Sequence, residues 1–125
     1  MIEAGPLNQE IRDLFGRRVM PEVFKAFQYW VKSYEVLRVG CYDSADGGYF
    51  RRHRDDIGDS RTPRRFALSA NLNAEFDGGD LLFPEYGRQV YRPAAGSAVV
   101  FSCQLLHEAL PVTAGRRIGL FTFFM

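Results

Sequence analysis

Turn-forming residues divide the chain after residue 35 into short apolar segments, and this division constrains the fold more than any other feature. Runs rich in Val, Phe, Leu and Tyr alternate with clusters of Gly, Asp and Pro, with a repeat of about 8–12 residues. Such spacing is typical of an antiparallel sandwich or barrel. We therefore predict a mainly β fold, a jelly roll (double-stranded β-helix) of about eight strands.

Eight segments have the composition of strands and are separated by turn-forming residues. They are 36–42, 49–55, 65–73, 80–83, 89–92, 97–102, 107–110 and 117–124. The turn-forming clusters between them include 77–79 and 113–115, which we predict to lie outside the strands.

The first third of the chain predicts two helices. Residues 6–15 form the first, with Asn8 as its N-cap and Gly16 as its stop. The second begins near Pro21, because proline is favoured at the first helical position. Its apolar residues recur at spacings of three and four as far as Tyr34, so we expect one face to pack on the sheet.

The length of 125 residues is enough for one domain. We predict a single domain over 1–125, with a helical support at 1–34 and a jelly-roll core at 35–125. Cys41 and Cys103 lie far apart beside apolar residues, which favours free buried thiols in a reducing compartment.

Charge and hydropathy exclude several classes of partner. The formal net charge is only +1, so no overall field attracts nucleic acid or anionic membranes. The chain has no apolar run long enough to span a bilayer, and its first residues lack the features of a signal peptide. These observations predict a cytoplasmic protein that binds neither membranes nor nucleic acid.

The segment 65–73 alternates between an apolar face and a more polar one. The polar face carries Ala67, Ser69, Asn71 and Asn73. A polar inner face suits a barrel that holds a small polar ligand, whereas a solvent-facing side of the strand would give the same pattern. This strand alone leaves the two interpretations open.

The only two histidines of the chain are His53 and His107. Asp55 lies two residues after His53, and residues at i and i+2 of a strand project to the same face. Two imidazoles and one carboxylate form the facial triad of non-haem Fe(II) enzymes, although the same set also binds catalytic zinc.

Arg117 begins the last predicted strand. Alternation places Arg117, Gly119 and Phe121 on one face. An arginine that points into an apolar barrel requires an anion, and its guanidinium matches a carboxylate, for which Gly119 would leave room. The competing interpretation makes Arg116 and Arg117 surface charges at the start of a strand.

Taken in order, these motifs resemble the Fe(II)/2-oxoglutarate-dependent dioxygenases, most closely the prolyl 4-hydroxylase-like branch, over about 36–124. The motifs are Tyr42, Gly47-Gly48-Tyr49-Phe50, His53-x-Asp55, Arg65-Phe66, Leu72-Asn73, Phe76-x-Gly78-Gly79-x-Leu81, Pro93-x-x-Gly96-x-Ala98-Val99-Val100-Phe101, Leu106-His107-Glu108 and Pro111-Val112-x-x-Gly115-x-Arg117. The resemblance implies a jelly-roll enzyme that hydroxylates a C–H bond and releases succinate and CO2.

The resemblance also implies a role for each matching position. His53, Asp55 and His107 correspond to the iron ligands. Arg117 corresponds to the basic residue that pairs with the far carboxylate of 2-oxoglutarate. The implied cofactors are Fe(II), 2-oxoglutarate and O2, with ascorbate as a reductant.

Two further positions are predicted to contact the cosubstrate and two to contact the substrate. Tyr42 lies near the family's first-strand tyrosine, whereas Asn71 departs from the family by replacing a tyrosine that touches 2-oxoglutarate. Arg51, which shares the strand face of His53, and Tyr49 are the predicted substrate contacts.

The prolyl hydroxylase resemblance suggests a peptidyl, prolyl-like or amino-acid-like substrate, so the predicted partner is a peptide, a protein or a small molecule. Two other functions are compatible with the same sequence. One is a metal-binding jelly roll of the cupin kind, and the other is a non-catalytic binding module that retains the fold. The first does not require a buried Arg117 that binds an anion, and the second predicts succinate production no faster than in buffer.

Overall fold

The fold is taken from a computed structural model that describes residues 5–46, 50–53 and 64–125. Tyr49 and Asp55, which the sequence assigns to the site, lie outside the described residues.

The first helix, α1, spans Pro6–Arg18 and is longer than predicted. Its N-cap is Gly5, so the prediction of Asn8 as the cap was wrong. Asn8 lies within the helix, where its Oδ1 accepts a hydrogen bond of 2.7 Å from the Nε of Arg12 one turn later. Gly16 does not end the helix, because a single glycine costs only about 1 kcal/mol relative to alanine there.

The second helix, α2, spans Met20–Phe27 and ends well before the predicted Tyr34. Gln28 closes it in the left-handed conformation, with φ of 55°. The apolar pattern continues because the extended chain that follows packs on the same core, where the ring of Tyr34 lies 5.3 Å from that of Phe124. Neither helix in the described ranges has the length and apolar composition needed to cross a bilayer.

Nine strands lie in the described part of the chain. They are β1 (Arg38–Asp43), β2 (Phe50–His53), β3 (Phe66–Asn71), β4 (Phe76–Gly78), β5 (Leu81–Leu82), β6 (Val90–Tyr91), β7 (Ala98–Ser102), β8 (His107–Ala109) and β9 (Val112–Phe124).

The strands form two antiparallel sheets. One has five strands in the order β1-β9-β3-β7, with β4 paired to the first part of β9, and the other has the order β2-β8-β5-β6. Strands that are distant in sequence are therefore neighbours in each sheet. This arrangement confirms the predicted mainly β jelly roll.

The strand β9 corrects the predicted break at 113–115, because it runs without interruption from Val112. Gly115 has a φ of +72°, and a Cβ at this position would collide with the backbone oxygen of Glu75. A glycine therefore lets the strand continue where another residue would be strained. The extension pairs with β4, a strand that the sequence did not predict.

The main hydrophobic core lies between the helices and the outer face of the five-stranded sheet. Phe15 of α1 packs there with Leu68, Leu120 and Phe124. Leu68 is only 2% exposed, so its truncation to alanine would cost about 3 kcal/mol. Because the core covers one face of this sheet, the other face is available to form a cavity.

Candidate active site

Cross-strand pairing aligns residues of β1, β9 and β3 in three rows. The rows are Tyr42–Arg117, Gly40–Gly119–Asn71 and Arg38–Phe121–Ser69. Residues that face each other across an antiparallel pair lie on the same side of the sheet. The alternation predicted for Arg117 and Phe121 is confirmed. Of the two interpretations left open for the polar face of β3, the structure supports the inner face, because Ala67 and Ser69 line the cavity described next.

A cavity of about 500 Å³ lies against this inner face. Tyr42, Ser69 and Arg117 line it from the five-stranded sheet, and Leu81 and His107 line it from the other sheet. The volume is in the range of cavities that enclose a small molecule. The two sheets thus bring the predicted anion-binding arginine and one predicted metal ligand to a single space.

Arg117 is 6% exposed and is held by neutral groups. Its Nε donates a hydrogen bond of 2.9 Å to the Oδ1 of Asn71, and its Nη2 donates one of 3.1 Å to the Oγ of Ser69. The rings of Tyr42 and Phe121 lie 5.6 and 5.4 Å from its guanidinium carbon. These contacts fix the direction of the guanidinium without neutralising its charge.

Burial is the main influence on the electrostatics of Arg117, and it lowers the pKa of the guanidinium. The nearby carboxylate of Asp80 opposes this effect, but Arg117 forms no ion pair with a carboxylate in the described ranges. The Oδ1 of Asp80 is itself buried without a hydrogen-bond partner among the described residues. A buried cation with unused N–H donors is suited to an anionic ligand, as the far carboxylate of 2-oxoglutarate would be.

Aromatic rings occupy the space that we expected Gly119 to leave for a ligand. A Cβ at Gly119 would collide with the Phe121 ring, and one at Gly40 would lie 2.8 Å from the same ring. The two glycines therefore accommodate the rings of Phe121 and Tyr42, which meet edge to face at 6.0 Å. The expectation that Gly119 leaves space for a ligand was wrong, because the ring of Phe121 lies over Gly119 of the same strand.

Tyr42 lines the cavity beside Arg117. Burial raises the pKa of its phenol, and the positive charge of Arg117 only partly opposes that effect. The hydroxyl therefore stays protonated at neutral pH and is a potential hydrogen-bond donor. This location is compatible with the predicted cosubstrate contact, which stays a prediction.

Both ends of the side-chain amide of Asn71 form hydrogen bonds. Its Oδ1 accepts from Arg117, and its Nδ2 donates a hydrogen bond of 2.9 Å to the carbonyl oxygen of Pro93. The structure thus places Asn71 as a support for Arg117. A direct contact with 2-oxoglutarate stays a prediction.

His107 is buried in the cavity wall, and its ring lies 4.8 Å from that of Phe101. Its Nδ1 is 3.1 Å from the carbonyl oxygen of Leu105. Because a carbonyl can only accept, Nδ1 carries the proton and Nε2 carries the lone pair that a metal ligand requires. The donor chemistry of His107 therefore fits a metal ion.

The backbone of His53 is paired directly with that of His107 across β2 and β8. The only two histidines of the sequence are therefore neighbours on adjacent strands. The third predicted ligand, Asp55, lies outside the described residues, and within them no group of three metal-binding side chains occurs. The triad stays a prediction, as do the roles of Arg51 and Tyr49.

Sequence reasoning missed a second buried arginine at the edge of the cavity. Arg64 donates from Nε and Nη2 to the two carboxylate oxygens of Glu35, at 2.5 and 2.9 Å. Both side chains are less than 15% exposed, and Arg64 also stacks on the ring of Phe123. The run of arginines near residue 60 was the signal, but its partner lies 29 positions away.

The fold, the cavity and Arg117 together define a jelly-roll protein with a buried cation that faces a cavity. The model of the 2OG-Fe(II) oxygenase superfamily matches residues 37–125. The chain belongs to this family.

Curated relatives with significant similarity include PKHD-type hydroxylases. The chain is 30% identical over 106 residues to one from Psychrobacter sp., covering 84% of this chain and 38% of the relative. It is 28% identical over 123 residues to one from Maricaulis maris, covering 95% of this chain and 55% of the relative. The chain thus spans about half the length of these relatives, or less.

Solved structures with the same fold include two prolyl hydroxylases. A prolyl-4-hydroxylase of Pseudomonas putida has a TM-score of 0.72 at 25% identity, covering 98% of this chain and 66% of that one. The viral collagen prolyl hydroxylase of Paramecium bursaria Chlorella virus-1, solved with 2OG, has a TM-score of 0.72 at 24% identity, covering 97% and 75%. The second likeness supports the fold alone.

Proposed function

We propose that the protein is an Fe(II)- and 2-oxoglutarate-dependent hydroxylase. The observation that carries the proposal is Arg117, a buried cation that faces a cavity and is held by neutral side chains. A metal-binding jelly roll of the cupin kind has no use for such a group. Family membership supports the same conclusion.

In this proposal, His53, Asp55 and His107 hold the iron, and the bound metal with O2 and 2-oxoglutarate supplies the oxidising power for C–H hydroxylation with release of succinate and CO2. Arg117 binds the far carboxylate of 2-oxoglutarate in a bidentate manner. The protonated hydroxyl of Tyr42 donates to the same cosubstrate. Phe101 and Phe121 keep water away from the cavity wall.

The proposed substrate is a peptidyl, prolyl-like or amino-acid-like compound. Its support is the naming of the relatives as PKHD-type hydroxylases and of structural neighbours as prolyl hydroxylases. One neighbour, from Trichoplax adhaerens, was solved with a peptide fragment of a hypoxia-inducible factor. We further propose ascorbate as a reductant. We also propose a cytoplasmic location, which is supported by Cys41, exposed, and Cys103, buried, being thiols rather than a disulfide.

An anaerobic titration tests this function. We expect Fe(II) and 2-oxoglutarate together to produce a weak visible charge-transfer band in the wild-type protein and in Arg116→Ala, but not in Arg117→Ala. Arg116 is the matched control, because it is the adjacent residue and its exposed side chain pairs with Asp43 at 3.2 Å. Oxygen should then yield succinate.

Absence of the band in the wild-type protein would contradict the proposal. Metal binding with no response to 2-oxoglutarate would instead favour the cupin-like alternative. Binding of 2-oxoglutarate without any succinate above the buffer rate would favour the non-catalytic module.

A further inference from the structure

The cavity has a second cation on its wall, Arg38 of β1. Arg38, Gly40 and Tyr42 occupy alternate positions of that strand, and all three line the cavity. Arg38 is opposite Phe121, whereas Tyr42 is opposite Arg117. The two arginines therefore lie on the same side of the sheet, four residues apart along the strands.

The backbone positions of the two arginines are further apart than the length of the cosubstrate. Four residues of a strand correspond to about 13 Å between Cα atoms. The chain of 2-oxoglutarate has four C–C bonds of about 1.5 Å each, so its carboxylates are at most about 6 Å apart. We therefore assign Arg38 a ligand other than the cosubstrate held at Arg117.

The neighbouring cation, Arg64, is already neutralised by its bidentate pair with Glu35. Arg38 differs from Arg64 in its exposure and in its partners. It is exposed, and it forms no hydrogen bond or ion pair with another residue in the described ranges. Among the described residues, Arg38 thus presents a positive charge without an ionic partner to the cavity, whose wall also includes the rings of Phe121 and Phe123.

We propose that Arg38 is a specificity-determining residue that binds a carboxylate of the substrate. The substrate would then be an acidic compound with an apolar part that lies along Phe121. The carboxylate can belong to an acidic side chain of a peptide or to a free amino acid. This inference rests on the proposed function, because it assumes that 2-oxoglutarate occupies the Arg117 end.

The test measures binding to the protein loaded anaerobically with Mn(II) and 2-oxoglutarate. The probes are end-blocked peptides with a Glu or a Gln on either side of a proline, and N-acetylproline with its amide. We expect at least one acidic member to bind about fivefold to tenfold more tightly than its neutral partner, as for an exposed charge-assisted hydrogen bond. The peptide and N-acetylproline pairs distinguish the two sources of the carboxylate.

The variants Arg38→Gln, Arg38→Lys and Arg17→Gln complete the test. Arg38→Gln should abolish the preference and Arg38→Lys should keep part of it. The control Arg17→Gln should change nothing, because Arg17 is an exposed residue of α1 and does not line the cavity.

Two failures remain distinguishable. If 2-oxoglutarate itself does not bind, the proposed function is overturned and this inference with it. If 2-oxoglutarate binds but no acidic probe binds better than its neutral partner, or if Arg38→Gln keeps the preference, this inference alone is overturned.

Discussion

The two ends of the cavity each contain a buried arginine, and their partners differ. At the outer end Arg64 is paired with the carboxylate of Glu35, so the chain itself supplies the neutralising charge. At the inner end Arg117 is held by the amide of Asn71 and the hydroxyl of Ser69, which orient the cation and leave its charge uncompensated. In the proposed function, this difference separates a structural arginine, Arg64, from an arginine that binds a ligand, Arg117.

The largest effect expected from this comparison is on stability at the outer end. Glu35→Gln removes the carboxylate that pairs with the largely buried guanidinium of Arg64, so we expect the free energy of unfolding to fall by about 3 kcal/mol. Denaturant titration measures it. The matched control is Glu22→Gln in the exposed pair with Lys25, where the loss should be below about 0.5 kcal/mol. Equal losses would remove the structural role assigned to Arg64.

The inner end should respond in the opposite way. Arg117→Gln removes a charge that forms no ion pair with a carboxylate in the described ranges, so we expect little change in the melting temperature and a rise in the KM for 2-oxoglutarate of about 30-fold. Arg116→Gln should leave that KM unchanged. A variant that unfolds while the KM of its folded fraction is normal would contradict the distinction.

The next test gives Arg117 the kind of partner that Arg64 has. Asn71→Asp provides Arg117 with a carboxylate in nearly the same volume and so imitates the pair at Arg64. We expect the affinity for 2-oxoglutarate to fall about tenfold, because the internal anion competes with the ligand. The substitution also removes the hydrogen bond from Nδ2 to the carbonyl oxygen of Pro93, so we expect a loss of stability of about 1 kcal/mol. Calorimetry and thermal unfolding measure the two quantities, and unchanged affinity would show that Arg117 is not the anion site.

The smallest effect concerns Tyr42. Burial raises the pKa of its phenol in the folded protein. The resulting stability is fully present below about pH 10, the ordinary value of tyrosine, and is lost as the pH rises through the higher folded value. Unfolding midpoints at pH 8 and at pH 10.5 should therefore differ more for the wild-type protein than for Tyr42→Phe. An identical pH dependence in both proteins would contradict the burial.

Much of the fold could be predicted from the sequence, because the alternation of apolar and polar residues in strands and the turn-forming residues between them are both local properties. The seven strands from β1 to β8 other than β4 lie within or next to segments that the sequence predicts. The missed element, β4, has three residues and exists because Gly115 lets β9 continue past it. Its formation depends on a partner 34 or more positions away, which no local pattern contains.

Contacts between residues distant in sequence also limit what could be predicted of the site. The face of Arg117 follows from alternation, whereas its hydrogen bond to Asn71 depends on the register of strands 46 residues apart. The position of the Phe121 ring over Gly119 depends on a side-chain rotamer, so the expected room for a ligand was wrong. The backbone pairing of His53 with His107 is also a matter of register.

The most direct test of the central claim compares two ligands on two proteins. 2-Oxopentanoate has the carbon chain of 2-oxoglutarate without its far carboxylate. In anaerobic calorimetry with Mn(II), we predict that the wild-type protein binds 2-oxoglutarate about 30-fold more tightly than 2-oxopentanoate, and that Arg117→Gln binds the two almost equally. Wild-type protein that does not distinguish them, or Arg117→Gln that still does, would contradict the account.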